Sequence, residues 1–409
     1  MKTYLVGGAV RDTLLGLPVA ERDWLVTETS AEELLQKGFQ KVGQHFPVFL
    51  HPETHEEYAL PRHAPGSESD TPASVEGDLM RRDLTINAMA QGTDGQLIDP
   101  LDGQGDLQKR ILRHTPAFRD DPIRVLRLAR FASRYHQFDF RIAPETRELA
   151  RKMARAGELE NLVPERVFAE IAKAMSDDSA VVFVETLRDL HALQFILPEV
   201  DCLFGIPQPA QHHPEIDTGR HTLMVLEQAC KLSHLPEVRF AALVHDVGKG
   251  TTPREDWPRH IGHEARGVPL IRLIAARLCL PNAWRDLSIA VSRFHLNCHR
   301  AFELRAETIL KMLSALDAFR RPERFEQFLI ACEADARGRK GFEERPYPQR
   351  QYLTSALERA RQVDVKSLDN GIHHGKKVAA LVERTRIEAI KEFKQETGQK
   401  MPGSPTSKE

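Results

Sequence analysis

The residues Leu5 to Val26, LVGGAVRDTLLGLPVAERDWLV, constrain this chain more than any other stretch. Lys2 to Val6 reads as a short buried strand broken by Gly7-Gly8, Ala9 to Leu15 as a brief helix ending at Gly16, and Arg22 to Val26 as a second strand. Glu21 stands at the entrance of that second strand. Side chains alternate along a strand, so Glu21 and Asp23 share one face, roughly 6–7 Å apart along the backbone. Two carboxylates so placed can converge on a divalent metal. A diglycine admits close backbone approach, and the N–H groups at a helix start favour phosphate, which puts Gly8 beside an anion. Arg11, one turn on, adds a charge-assisted donor to the same anion. Alone, a diglycine is more often a plain turn and an acid-x-acid pair a solvated strand end. In the order strand, diglycine, arginine, strand, paired acids, they suit metal-assisted nucleotidyl transfer.

Composition narrows the class. The 409 residues suggest two to four domains. With 28% charged and 41% hydrophobic residues, the chain can bury ordinary cores. A net charge of −2 means that any nucleic-acid site is a local basic patch. No run approaches the roughly 18 apolar residues of a membrane span. The N-terminus lacks a signal-peptide pattern. Cys202, Cys230, Cys279, Cys298 and Cys332 are scattered without CxxC spacing, as expected of reduced thiols in the cytoplasm.

Further along, Val48 to Leu50 and Glu57 to Leu60 read as a hairpin, with Glu57 a candidate third carboxylate. Residues 61–77, PRHAPGSESDTPASVEG, read as a mobile loop. In DLMRRDLTINAMA, Asp78 is a candidate helix cap, followed by the charged Arg81-Arg82-Asp83. Asp121-Pro122 reads as N-cap and first residue of a helix on which Arg124, Arg127, Arg130 and Arg134 form a basic stripe. No acid interleaves that stripe, so an anionic partner is expected. Asp121 offers an acceptor and Arg124 a planar donor fork. Cytosine and adenine both carry an exocyclic amino donor beside a ring-nitrogen acceptor, so such a pair can accept C and A and reject G and U.

From Ile142 to about Val200 the pattern is helical. The break FGIPQPAQHHPEIDTGR near residue 205 opens another helical region. His221 lies on one helix, and His245-Asp246 end the next, predicted over Glu237 to Val247. His263 and His295 follow. Neutral imidazoles with a carboxylate suit a borderline divalent metal able to acidify water. Asp335 in CEADARGR is a candidate to complete that site, whereas His260 and His299 read as incidental. Helices continue to about Glu396, and residues 397–409 read as a disordered tail.

The motifs GGAVRD, ERDW, RRDLTINA, DDPIRVLR and VHDVGKG, in this order, resemble the bacterial class II tRNA nucleotidyltransferases, or CCA-adding enzymes, over about residues 1 to 395. The last of them also resembles the HD-superfamily phosphohydrolases. The resemblance implies an α+β chain: a polymerase β-like nucleotidyltransferase head with a mixed sheet and helices (1–115), an all-helical neck and body (116–204), an all-helical HD domain (205–320) and a C-terminal helical region (321–396). It implies addition and repair of the tRNA 3′-terminal CCA from CTP and ATP. Glu21 and Asp23 would hold two Mg²⁺. Gly8, Arg11, Arg82, Asp83, Arg127 and Arg130 would hold the nucleotide, and Asp120, Asp121 and Arg124 match the motif that chooses the base. His221, His245, Asp246, His263 and His295 would hold Ni²⁺ or another divalent transition metal for phosphatase, 2′-nucleotidase and 2′,3′-cyclic phosphodiesterase activity. A cytoplasmic monomer or homodimer with no membrane partner is expected. Two departures stand out. Glu21 occupies a position where Asp is frequent, and the 61–77 loop is short and lacks a Gly-Tyr-x-Gly-Phe-type hairpin. The alternatives are a poly(A) polymerase-like enzyme, or an RNA-binding head serving an HD phosphohydrolase.

Overall fold

Why Asp23 ends up in a site follows from where its strand lies. β1 (Lys2–Val6) and β2 (Asp23–Thr27) pair antiparallel, with Val6 opposite Asp23. β2 pairs on its other edge with β5 (Glu57–Ala59) in parallel, with Asp23 opposite Glu57. With β3 (Gln40–Val42), β4 (Val48–Leu50), β6 (Ala90–Gly92) and β7 (Leu97–Ile98) they form a mixed sheet in the order β3-β4-β5-β2-β1-β6-β7. Alternation sends Asp23 and Leu25 to the same face. Leu25 packs there with Val6, Val75, Leu79, Ala88 and Ala90, so the acid-bearing face is the one covered by α3 (Val75–Leu79) and the chain that follows it. Leu34 and Phe39 pack with Phe49 in a second cluster of this half, around α2 (Ala31–Gln36).

This computed structural model describes residues 1–19, 21–42, 48–61, 74–211, 213–364 and 375–398. It contains two compact units: residues 1–174 with 182–196, and residues 175–181 with 197–409. The first also holds α1 (Gly8–Leu14), α4 (Gly103–Lys109), the short parallel pair β8 (Ile111–Leu112) and β9 (Arg141–Ile142), and helices α5 (Arg124–Arg134), α6 (Pro144–Arg155), α7 (Pro164–Ser176), α8 (Ala180–Asp189) and α9 (Leu193–Ile196), the last two residues of α7 and the first two of α8 falling in the other unit.

The second unit is helical: α10 (Pro198–Asp201), α11 (Thr218–Leu232), α12 (Pro236–Val244), α13 (His263–Arg277), α14 (Asn282–His299), α15 (Ala306–Ala315), α16 (Pro322–Arg337), α17 (Pro348–Arg361) and α18 (Gly375–Gly398). Val238, Leu287, Val291, Ile309, Leu313, Phe328, Leu329 and Leu353 are among the residues of its main core. Arg239 is fully buried and donates to the carbonyls of Ser233, Met175, Asp177 and Cys230 and to Asp178, which ties the 175–181 segment into this unit. Satisfying every donor is what makes a buried guanidinium tolerable.

Several local expectations shift. Residues 62–73 of the expected mobile loop and 399–409 of the expected tail lie outside the described residues. The loop's end is already helical, because Ser74 caps α3 by accepting from the Gly77 N–H at 3.0 Å; Asp78 sits inside that helix and is not its cap. RRDLTINA is a turn and a short 3₁₀ segment (Thr85–Asn87). α5 begins at Arg124, two residues later than Pro122, and Asp121 accepts instead from the Ile123 N–H at 3.3 Å, a local turn ahead of the helix. α12 stops at Val244, so His245 caps it and Asp246 opens a 3₁₀ turn over Val247–Thr251.

Candidate active sites

In the first unit a positive-φ turn organises the site. Gly7 has φ of 65°, and a Cβ there would lie 2.6 Å from Arg82 Nη1, so only glycine lets that guanidinium lie against the turn. Arg82 is aimed by Asp78, which accepts from its Nε at 3.1 Å. Arg11 approaches from the other side. Its Nε donates to Asp12 at 2.8 Å and its Nη1 to Asn87 Oδ1 at 2.5 Å, and its guanidinium lies 5.4 and 5.2 Å from the ring centres of Phe131 and Tyr135. Two guanidinium groups thus flank the diglycine, as anion recognition requires.

Asp23 and Glu57 face one another across the parallel pair, with Glu21 just outside the strand. Loss of water around Asp23 raises its carboxyl above the ordinary range; Arg82 and Arg11 oppose that and Glu21 adds to it. Glu57 is raised for the same reason, with Asp23 and Glu21 contributing. A hard cation relieves the repulsion among crowded acids of this kind, and oxygen donors are what Mg²⁺ takes. Among the described residues they do not close into a three-oxygen group within 4.8 Å, unlike the histidine cluster below.

The α5 stripe is not unneutralised. Arg127 Nε donates to Asp83 at 2.7 Å, Arg130 Nε to Glu170 at 2.5 Å, and Arg134 Nη2 to Asp12 at 3.2 Å. The acids come from distant parts of the chain, so local spacing along α5 could not show them. Asp83 also accepts from the Leu84 N–H and Asn87 Nδ2, and despite its burial Arg127 and these donors hold its carboxyl well below the usual range. Arg124 donates to the backbone carbonyls of Arg82, Arg81 and Ala117, which fixes the turn that carries Arg82. Asp121 pairs with Arg166 at 2.5 Å. The expected fork of Asp121 and Arg124 is therefore engaged within the protein.

In the second unit the HD turn gathers five imidazoles and two buried acids. A Cβ on Gly248 would fall 2.0 Å from the His263 carbonyl oxygen, and this close approach brings the start of α13 against the turn. His245 Nδ1 faces the Ala242 carbonyl at 2.7 Å, His263 Nδ1 that of His260 at 2.7 Å, His295 Nδ1 that of Ser292 at 2.9 Å, and His221 Nδ1 that of Gly338 at 3.0 Å. A carbonyl only accepts, so each Nδ1 carries the proton and each Nε2 lone pair points inward. His221, His245 and Asp246 form one potential ligand group and Asp246, His263 and His295 a second, sharing Asp246. His245 Nε2 and Asp246 Oδ1 are buried without a hydrogen-bond partner. This donor set fits a divalent transition metal.

Asp335 joins the site: His221 Nε2 lies 3.1 Å from its Oδ1. His299 is not incidental, because its Nε2 holds Asp335 Oδ2 at 2.6 Å while its Nδ1 meets the Tyr347 hydroxyl at 2.8 Å. His260 lines the same pocket, with its nitrogens committed to Thr252 and the Pro207 carbonyl. Burial pushes His295 down to about 3, whereas Asp246 and Asp335 overcome burial and raise His245. Burial would lift Asp246 as well, but His245 and Lys249 hold it well below the carboxylate range. The sequence reading missed Glu215, which lies 3.0 Å from His221 Nδ1 and 3.1 Å from His213 Nδ1. Its only signal was an acid shortly before His221 in HHPEIDTGRH.

A polymerase-type nucleotidyltransferase joined to an HD unit is the class that this fold and these sites define. Residues 3–113 match the poly A polymerase head domain, 139–203 the probable RNA and SrmB-binding site of polymerase A, and 218–324 the HD domain. The chain belongs to the multifunctional CCA protein family. It is 54% identical over 408 residues to the multifunctional CCA protein of Thioalkalivibrio sulfidiphilus, covering 97% of this chain and 100% of that one. It is 53% identical to that of Teredinibacter turnerae, covering 96% and 98%. In fold it is similar to a CCA-adding enzyme in an apo form (TM-score 0.64, 19% identity, 99% and 91% covered) and to a Thermotoga maritima CCA-adding enzyme complexed with tRNA (TM-score 0.62, 18% identity, 97% and 91% covered). No helix among the described residues is long and apolar enough to cross a membrane.

Proposed function

We propose that the first unit adds C and A to the 3′ end of tRNA from CTP and ATP, with no nucleic-acid template, and that the HD unit hydrolyses phosphate esters. The observation that carries the transfer reading is the placement of Arg82 and Arg11 around Gly7, with Asp23 and Glu57 paired on the sheet face that α3 covers. Gly8, Arg11 and Arg82 receive the triphosphate, with Arg127, Arg130 and Asp83 behind them. Glu21 and Asp23 would hold magnesium, with Glu57 a third oxygen donor. When bound there, magnesium supplies the Lewis acidity that lowers the pKa of the tRNA 3′-hydroxyl and steadies departing pyrophosphate. Base choice falls to Asp121 and Arg124, which would trade Arg166 and backbone carbonyls for the edge common to cytosine and adenine.

In the HD unit, His221, His245, Asp246, His263, His295 and Asp335 would hold nickel or another divalent transition metal, which supplies an acidified water when bound. We assign to it the phosphatase, 2′-nucleotidase and 2′,3′-cyclic phosphodiesterase activities. We assign domain limits of 1–115, 116–204, 205–320 and 321–396 and a cytoplasmic setting. The decisive assay supplies labelled CTP and ATP to tRNA lacking its 3′ end, with and without Mg²⁺. Magnesium-dependent addition of two C and one A is expected. Incorporation of A alone, in a run, would point to a poly(A)-type activity and overturn the assignment.

A further inference from the structure

The HD pocket holds a cation that its own metal cluster does not use. It is lined by Gln208, His213, Lys249, His260, Asp335 and Arg339, among others. Lys249 is spent: its Nζ donates to Gln208 Oε1 at 2.8 Å and pairs with Asp246 Oδ2 at 2.5 Å. The nitrogens of His260 are taken by Thr252 and the Pro207 carbonyl, and Nδ1 of His213 by Glu215. Arg339 differs. Its Nε is buried with no hydrogen-bond partner, and its Nη2 lies 4.0 Å from Asp335 Oδ1, beyond hydrogen-bond length. A buried guanidinium donor left unpaired is costly, so this donor calls for an occupant.

We propose that Arg339 is the specificity residue that receives the terminal phosphoryl group of a phosphate monoester in this pocket. The inference rests on the phosphohydrolase reading given above. A guanidinium presents N–H groups in a planar fork that spans two oxygens of an oxyanion, whereas an amine gains nothing from it, and the phosphohydrolase reading makes that oxyanion a phosphoryl group. Residues 218–324 match the HD domain, so Arg339 lies beyond that match, on the loop after α16 that also supplies the Gly338 carbonyl to His221. One short loop therefore orients a metal ligand and presents the substrate cation.

The test uses the full-length, metal-loaded protein and inorganic phosphate as the probe, followed by calorimetry. Arg339→Gln should weaken phosphate binding about 10-fold or more and lower kcat/KM for a small phosphate monoester at least as much. Arg339→Lys, which keeps charge but loses the fork, should recover only part of either. Metal content and melting temperature are measured on each variant. Equal phosphate affinity in wild type and Arg339→Gln at matched metal content would overturn the assignment, as would full recovery by Arg339→Lys or no phosphate binding by the wild type. Absence of any ester hydrolysis by the wild type would instead overturn the HD reading itself. If Arg339→Gln loses metal or unfolds, Arg339→Lys decides: wild-type phosphate affinity in that variant overturns the proposal, and a partial loss supports it.

Discussion

His263 Nε2 and His295 Nε2 lie 3.2 Å apart, and each ring already gives its Nδ1 proton to a backbone carbonyl. Two lone pairs therefore face one another in a buried site, and a cation between them relieves the repulsion. Chelation is expected to lower the melting temperature of the second unit, and readdition of the divalent ion to restore it. At 100 times the dissociation constant the gain is about 2.7 kcal/mol. His295→Ala should melt at the same temperature with and without metal, which differential scanning calorimetry would show.

Glu215 anchors His221 on the ring nitrogen opposite the one near Asp246 and Asp335, 3.0 Å from its Nδ1. Outer partners of this kind typically control metal affinity by about 10–100-fold. Glu215→Gln should weaken metal binding within that range while transfer by the first unit continues, and competition against a chromophoric chelator measures it.

Asp83 gives a pH dependence with a definite sign. Burial alone would raise its carboxyl, but Arg127, Asn87 and the Leu84 N–H bring it well below the usual carboxylate range. Its folded-state pKa is depressed, so its contribution is fully present above the unfolded carboxylate range and is lost as pH falls through the folded pKa. Asp83→Asn should lower the stability of the first unit by about 1–3 kcal/mol at neutral pH and flatten its acid slope below about pH 4. Melting curves between pH 7 and 3 test both parts.

Asp121 is paired with an exposed arginine, Arg166, at 2.5 Å. If Asp121 reads the base, Asp121→Ala should relax the preference for CTP and ATP over GTP and UTP by about 1–3 kcal/mol, the size of one recognition pair. Arg166→Ala should leave that preference in place. Single-turnover incorporation with each nucleotide measures both, and loss of preference in Arg166→Ala alone would move the role to Arg166.

The strand–diglycine–helix–strand opening was legible because local rules govern it: period-two burial, a positive-φ glycine and a short amphipathic run. The histidine cluster was legible for a similar reason, since each candidate ligand sits on or beside a helix end with a recognisable local pattern. What spacing could not carry was long-range pairing. Glu170 meets Arg130 from 40 positions away and Asp12 meets Arg134 from 122, so a stripe that looks bare along α5 is neutralised in space. The parallel pairing of Glu57 with Asp23 is hidden likewise, because a parallel neighbour needs a crossover that no local pattern announces. Arg339 and Glu215 owe their positions to loops packed on α11, which periodicity does not describe.

Asp23 is the residue on which the transfer reading turns. Full-length Asp23→Ala and wild type should be compared for incorporation of labelled CMP and AMP into tRNA lacking its 3′ end, with phosphate-ester hydrolysis measured on the same preparations. Incorporation of both nucleotides should fall by about 10³-fold or more, as expected when several kcal/mol of transition-state stabilisation is removed, while hydrolysis stays at the wild-type level. Undiminished incorporation in Asp23→Ala would contradict the assignment of this carboxylate, and with it the site around Gly7 and Arg82.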